Sequence, residues 1–153
     1  MSSARGQANH ALYLARILLA AWRRDLDAES VAALTLTSAY MPGVREHLTN
    51  AYGWFLLEIT RPGALPAKPP RGLVDLPEIA EGKAVPGEVR EFQQLEQGGW
   101  LGDMLIADGA AAGASSPSNL AVAAPLSGSE QASLWADQLQ SLFDRMSDSL
   151  DEY

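Results

Sequence analysis

Apolar residues recur along this chain at helical spacing, and no stretch alternates convincingly as a strand would. In the first segment Leu12, Ala15, Leu19, Trp22 and Leu26 step by three, four, three and four, which predicts a helix from about Ser3 to Asp27 with one buried side chain per turn. Asn9, Arg16 and Arg23 fall seven apart on a narrow polar stripe, while Leu14, Ile17 and Leu18 widen the apolar arc. So wide an arc implies packing on more than one side. It makes this helix central to a bundle, or gives it a dimer interface.

A second helical pattern runs from about Glu29 to Thr60 through Leu34, Met41, Val44, Leu48, Tyr52, Phe55 and Ile59. Its register carries across Met41-Pro42-Gly43, so the expectation is one kinked helix rather than two, stopped by Arg61-Pro62-Gly63. Pro62, Pro66, Pro69, Pro70, Pro77 and Pro86 mark residues 61–87 as a long Pro-rich crossover, with at most one helical turn near Pro77 to Glu81. Val89, Phe92 and Leu95 predict a short helix over 87–96. Gln97-Gly98-Gly99 interrupts it, and Trp100, Leu101, Met104 and Leu105 restart the pattern toward Asp108.

Residues 109–128, mostly Ala, Gly, Ser and Pro, have little to bury and much backbone entropy to lose, which predicts a linker. Ser127 followed by Glu130 has capping-box spacing, and the final helix carries Trp135, Leu139, Leu142, Met146 and Leu150 on one face. The pattern as a whole predicts a single all-α domain over 1–153, a bundle of four to five helical segments.

At 153 residues the chain can bury a core without disulfides or a structural metal. It has no cysteine, which removes disulfide frameworks, thiolate zinc sites, iron–sulfur ligation and cysteine nucleophiles together. The apolar run from Ala11 to Trp22 contains Arg16 and is far shorter than the roughly 20 residues of a membrane span. Trp22-Arg23-Arg24-Asp25 then follows where a signal peptide needs small residues. The expectation is a cytoplasmic protein with no membrane partner.

The net charge of −8 is unevenly spread: residues 1–71 hold 8 basic and 5 acidic side chains, residues 72–153 hold 3 and 14. The two halves should therefore attract each other. Direct nucleic-acid binding is disfavoured, because phosphate neutralisation needs a clustered basic face and only Arg23 and Arg24 are adjacent.

Candidate chemistry is sparse. Arg5 and His10, separated by four residues, resemble the metal-independent ribonuclease motif of the HEPN helical-bundle family, in which arginine and histidine converge on the scissile phosphate across a dimer. What that resemblance implies is proton transfer by His10 and stabilisation of the phosphorane by Arg5. A carboxylate-bridged metal site in a bundle needs Glu three residues before His on two helices, but Val44 holds that position before His47 and no second copy exists. No metal and no cofactor is expected. Trp22, Trp54, Trp100 and Trp135 lie one to each main helical segment, as core packing or as the walls of a shared cavity.

Leu14-Ala-Arg-Ile-Leu-Leu-Ala-Ala-Trp22-Arg-Arg24, His47-Leu-Thr-Asn-Ala-Tyr-Gly-Trp54 and Ser133-Leu134-Trp135 together resemble a group of small uncharacterised bacterial helical proteins. That resemblance implies an all-helical fold and carries no activity. The leading expectation is a non-enzymatic interaction module, an adaptor or small chaperone-like protein, which buries an apolar helix face against itself or a protein partner. Trp135, Leu139, Leu142 and Met146 on the last helix are the first candidates for that face. The alternatives are the ribonuclease using Arg5 and His10, and a small-ligand sensor with a cavity between Trp22, Trp54 and Trp100.

Overall fold

The computed structural model describes residues 3–60, 65–76, 86–105 and 128–151. Five α-helices are seen among them: α1 (Ala4–Ala28), α2 (Ala33–Thr60), α3 (Pro86–Gly98), α4 (Trp100–Leu105) and α5 (Gly128–Asp151), with a short 3-10 turn at Leu73–Asp75. The described residues contain no strand, and the all-α bundle expected from the pattern is the fold. The expected turn at Pro77 to Glu81, the linker up to Ser127 and the capping serine lie outside the described residues.

α1 opens on Ser3, whose Oγ accepts from the Gly6 N–H at 2.9 Å, satisfying one of the free donors of the first turn. It closes on Glu29, which takes a left-handed conformation (φ 55°) and returns its N–H to the Leu26 carbonyl. This cap moves the start of the second helix: α2 begins at Ala33 rather than near Glu29, because residues 29–32 make the reversal. Pro42 then sits inside one continuous α2. Proline removes the amide that would reach the Ser38 carbonyl, and both residues are exposed, so water can serve that oxygen.

The most enclosed element is the C-terminal half of α2, not α1. Ala51, Tyr52, Gly53, Phe55, Leu56 and Leu57 are all buried, which takes in nearly the full circumference of the helix. α1 and α5 pack against α2 and each other, α4 touches both α2 and α5, and α3 leans on α4. Phe55 stacks on Phe143 of α5 at 4.3 Å between centroids, and Tyr52 meets Phe92 of α3 edge-on at 5.5 Å. Alanines 4, 8, 11 and 15 keep the inner face of α1 shallow, so its backbone can approach the bundle closely.

The crossover is held by two devices. At Gly53 a Cβ would come 2.1 Å from the Pro70 carbonyl oxygen, so the Pro69–Pro70 segment crosses α2 where only glycine leaves room. Beyond it, Glu96 of α3 accepts from the Tyr52 hydroxyl at 2.5 Å and from the Leu73 amide at 3.0 Å, tying three segments to one carboxylate. Burial first, and the Glu96 carboxylate second, push the Tyr52 hydroxyl far above the ordinary phenol range, so it remains a donor. α3 begins at Pro86, one residue before the expected start of this helix, so Pro86 opens the helix rather than closing the crossover.

Candidate functional site

Trp22 is fully buried and stacks on Tyr40 at 5.8 Å, while the Tyr40 hydroxyl donates to Asp25 at 2.5 Å. The Asp25 hydrogen bond is the main cause of a raised Tyr40 pKa. Trp54 and Trp100 are half-buried at the edge of the same core. The tryptophans serve different contacts along the bundle: Trp135, for example, lies under the Arg45 guanidinium at 5.2 Å.

A cleft of about 300 Å³ lies among α3, α4 and α5, with Trp100, Leu95 and Leu142 as apolar wall and Glu91, Gln138 and Arg145 as polar rim. Neither Trp22 nor Trp54 borders it. Arg145 makes a two-pronged ion pair with Glu91, one prong at 3.1 Å from Nη1 to Oε1 and the other from Nη2 to Oε2. That guanidinium holds the Glu91 carboxyl below the usual carboxylate range, and its own pKa rises in return. One turn earlier, burial raises the Glu88 carboxyl and the Glu91 charge adds to the effect.

A second cleft, about 250 Å³, runs along the seam between α1 and α5. The basic stripe of α1 meets acidic α5 there: Arg16 pairs with Asp137 at 3.3 Å and reaches the Ala136 carbonyl at 3.5 Å, and Arg23 reaches Ser133 Oγ at 3.5 Å. This is the attraction between basic and acidic halves in local form. The exposed Arg16–Asp137 pair contributes at most about 1 kcal/mol, so its effect is to orient α5 more than to hold it.

The sequence-selected residues are dispersed. Arg5 is half-buried with Nη2 3.4 Å from Glu58 of α2, whereas His10 is exposed. Five positions apart on a helix, they are rotated by about 140° and do not converge within one chain. Trp135, Leu139, Leu142 and Met146 are seated in the core, each under 5 % exposed, so a partner reaches them only if α5 leaves the bundle. Among the described residues no group of three or more His, Asp or Glu is placed to hold a metal ion.

The sequence offered a dimer interface for the wide arc of α1 through Ile17 but did not single out Tyr13 beside it. Tyr13 and Ile17, one turn apart, are 62 % and 49 % exposed, and Ala20 continues their line. The signal was the excess width of the apolar arc: α2 and α5 cover part of it and leave this strip uncovered.

These features define a class, a small all-α bundle built on an α1–α2 hairpin and closed by an acidic C-terminal helix. The chain belongs to the family of unknown function DUF6586, whose model matches residues 1–153. No curated protein and no solved structure matches it. Among the described residues, no helix is long and apolar enough to cross a membrane.

Proposed function

We propose that this protein is a non-enzymatic helical interaction module, of adaptor or small chaperone-like type, that buries the outward face of α1 against a protein. The observation that carries the reading is the exposed pair Tyr13 and Ile17 on a long helix whose opposite face is fixed in the core. A single exposed apolar side chain such as Val74 is ordinary on any surface, but two large ones aligned on one helix and continued by an alanine form a strip suited to another helix. α5 takes the role of a structural element: its apolar face fills the core, and Arg16 and Arg145 tie its polar flanks to α1 and α3.

The test is capture of the tagged chain in its native host, with nuclease treatment, followed by mass spectrometry. The module reading expects a stoichiometric, nuclease-resistant protein, a second copy included. Recovery of nucleic acid alone, or of the tagged chain as a monomer that also stays monomeric when concentrated, overturns it.

A further inference from the structure

The outward strip of α1 is longer than its two large apolar residues. His10, Tyr13, Ile17, Ala20, Arg24 and Asp27 step by three, four, three, four and three, and all six are exposed. That is the 3.5-residue period of a coiled-coil seam, lying opposite the buried line Ala8, Leu12, Ala15, Leu19 and Trp22. The side chains of His10, Arg24 and Asp27 make no hydrogen bond or ion pair with another described residue.

The six residues are complementary to themselves in reverse order. Laid antiparallel against a second copy about a point between Leu18 and Leu19, Ile17 faces Ala20, Tyr13 faces Arg24 and His10 faces Asp27. Each pairing is favourable: a large side chain against a small one, a guanidinium over a phenol ring, and an imidazole N–H toward a carboxylate. In a parallel, in-register arrangement Arg24 would meet Arg24 and Asp27 would meet Asp27, so like charges oppose that alternative.

We propose that the occupant of this strip is a second copy of the chain, its α1 antiparallel to the first with Ile17 and Ala20 at the centre. The proposal rests on the module reading and names its partner. The seam spans 18 residues, about 27 Å of helix. One helix pair of that length lies at the lower end of specific interfaces, which begin near roughly 1,200 Å² in total, so the dimer forms on concentration and dissociates on dilution.

Sedimentation velocity on the purified full chain over a wide concentration range reads the association, and cysteine pairs read the register. The expected result is a mass rising from 16.4 kDa toward twice that value, and held at the monomer by Ile17→Glu, whose exposed position leaves the thermal melt unchanged. Because the chain has no native cysteine, His10→Cys mixed with Asp27→Cys reports orientation directly. Mixed disulfides exceeding either homodisulfide several-fold support the antiparallel seam, whereas a dominant His10→Cys homodisulfide overturns it in favour of a parallel one. A mass that stays at the monomer throughout, or that rises equally in Ile17→Glu, overturns self-pairing through this strip. Host capture of a different protein would then still support the module reading, so the two can fail separately.

Discussion

Trp22 shows how much one side chain organises here. It is fully buried against Tyr40, and a Cβ at Gly128 would approach its ring to 3.2 Å, so the start of α5 abuts it directly. Trp22→Ala leaves a cavity under the first turn of α5 and is expected to cost about 3–5 kcal/mol, read as a lowered denaturant midpoint. A midpoint equal to wild type would place Trp22 outside the core. Glu91 offers a pH test at the same scale. Its folded pKa is depressed by Arg145, so its contribution to stability is full above the unfolded carboxylate value of about 4.3 and is lost as pH falls through the folded value. Arg145→Met should move the Glu91 titration upward in carboxyl NMR and flatten the acid-side loss of stability attributable to this pair. Glu88, whose raised pKa has the opposite sign, offsets part of the wild-type slope and should remain raised in the variant, because burial is its main cause.

Periodicity made most elements legible, and the exceptions have physical reasons. The phase carried across Pro42 predicted a single α2, as found, because proline removes one hydrogen bond at an exposed position and the rest of the ladder remains. The start of α2 was not legible: nothing about glutamate announces the left-handed cap at Glu29, since that conformation is ordinarily left to glycine. Nor could local pattern show that the crossover lies over Gly53, a contact between residues 17 apart in sequence. That crossing gives a paired prediction. Gly53→Ala should cost about 1–3 kcal/mol, because the new Cβ meets the Pro70 backbone, whereas Gly87→Ala has open space and should be neutral or stabilise by up to about 1 kcal/mol. Comparable denaturation curves for the two variants would remove the close crossing.

At the scale of the molecule, the candidate surface was only half legible. The wide apolar arc of α1 was visible in the sequence, but which flank of it stays uncovered depends on how many helices pack around it and at what angle. With α2 and α5 in place, Leu12, Leu19 and Trp22 are buried and Tyr13 and Ile17 are left outside. The apolar face of α5 reads the other way: its spacing suits a partner-binding helix as well as a core helix, and the bundle uses it as core. The tryptophans do not share one cleft: Trp22 stacks on Tyr40, Trp135 lies under Arg45, and Trp100 borders the cleft among α3, α4 and α5 without Trp22 or Trp54. Interaction is the role proposed for α1 and core packing the role of α5, and two exposed leucine-sized positions separate those roles. Ile17 on α1 and Leu134 on α5 are 49 % and 41 % exposed, so glutamate at either leaves the fold intact. Side-by-side capture of Ile17→Glu and Leu134→Glu from the host is the most direct measurement: loss of the bound protein from Ile17→Glu with retention by Leu134→Glu is the predicted result, and retention by Ile17→Glu with loss from Leu134→Glu would contradict it.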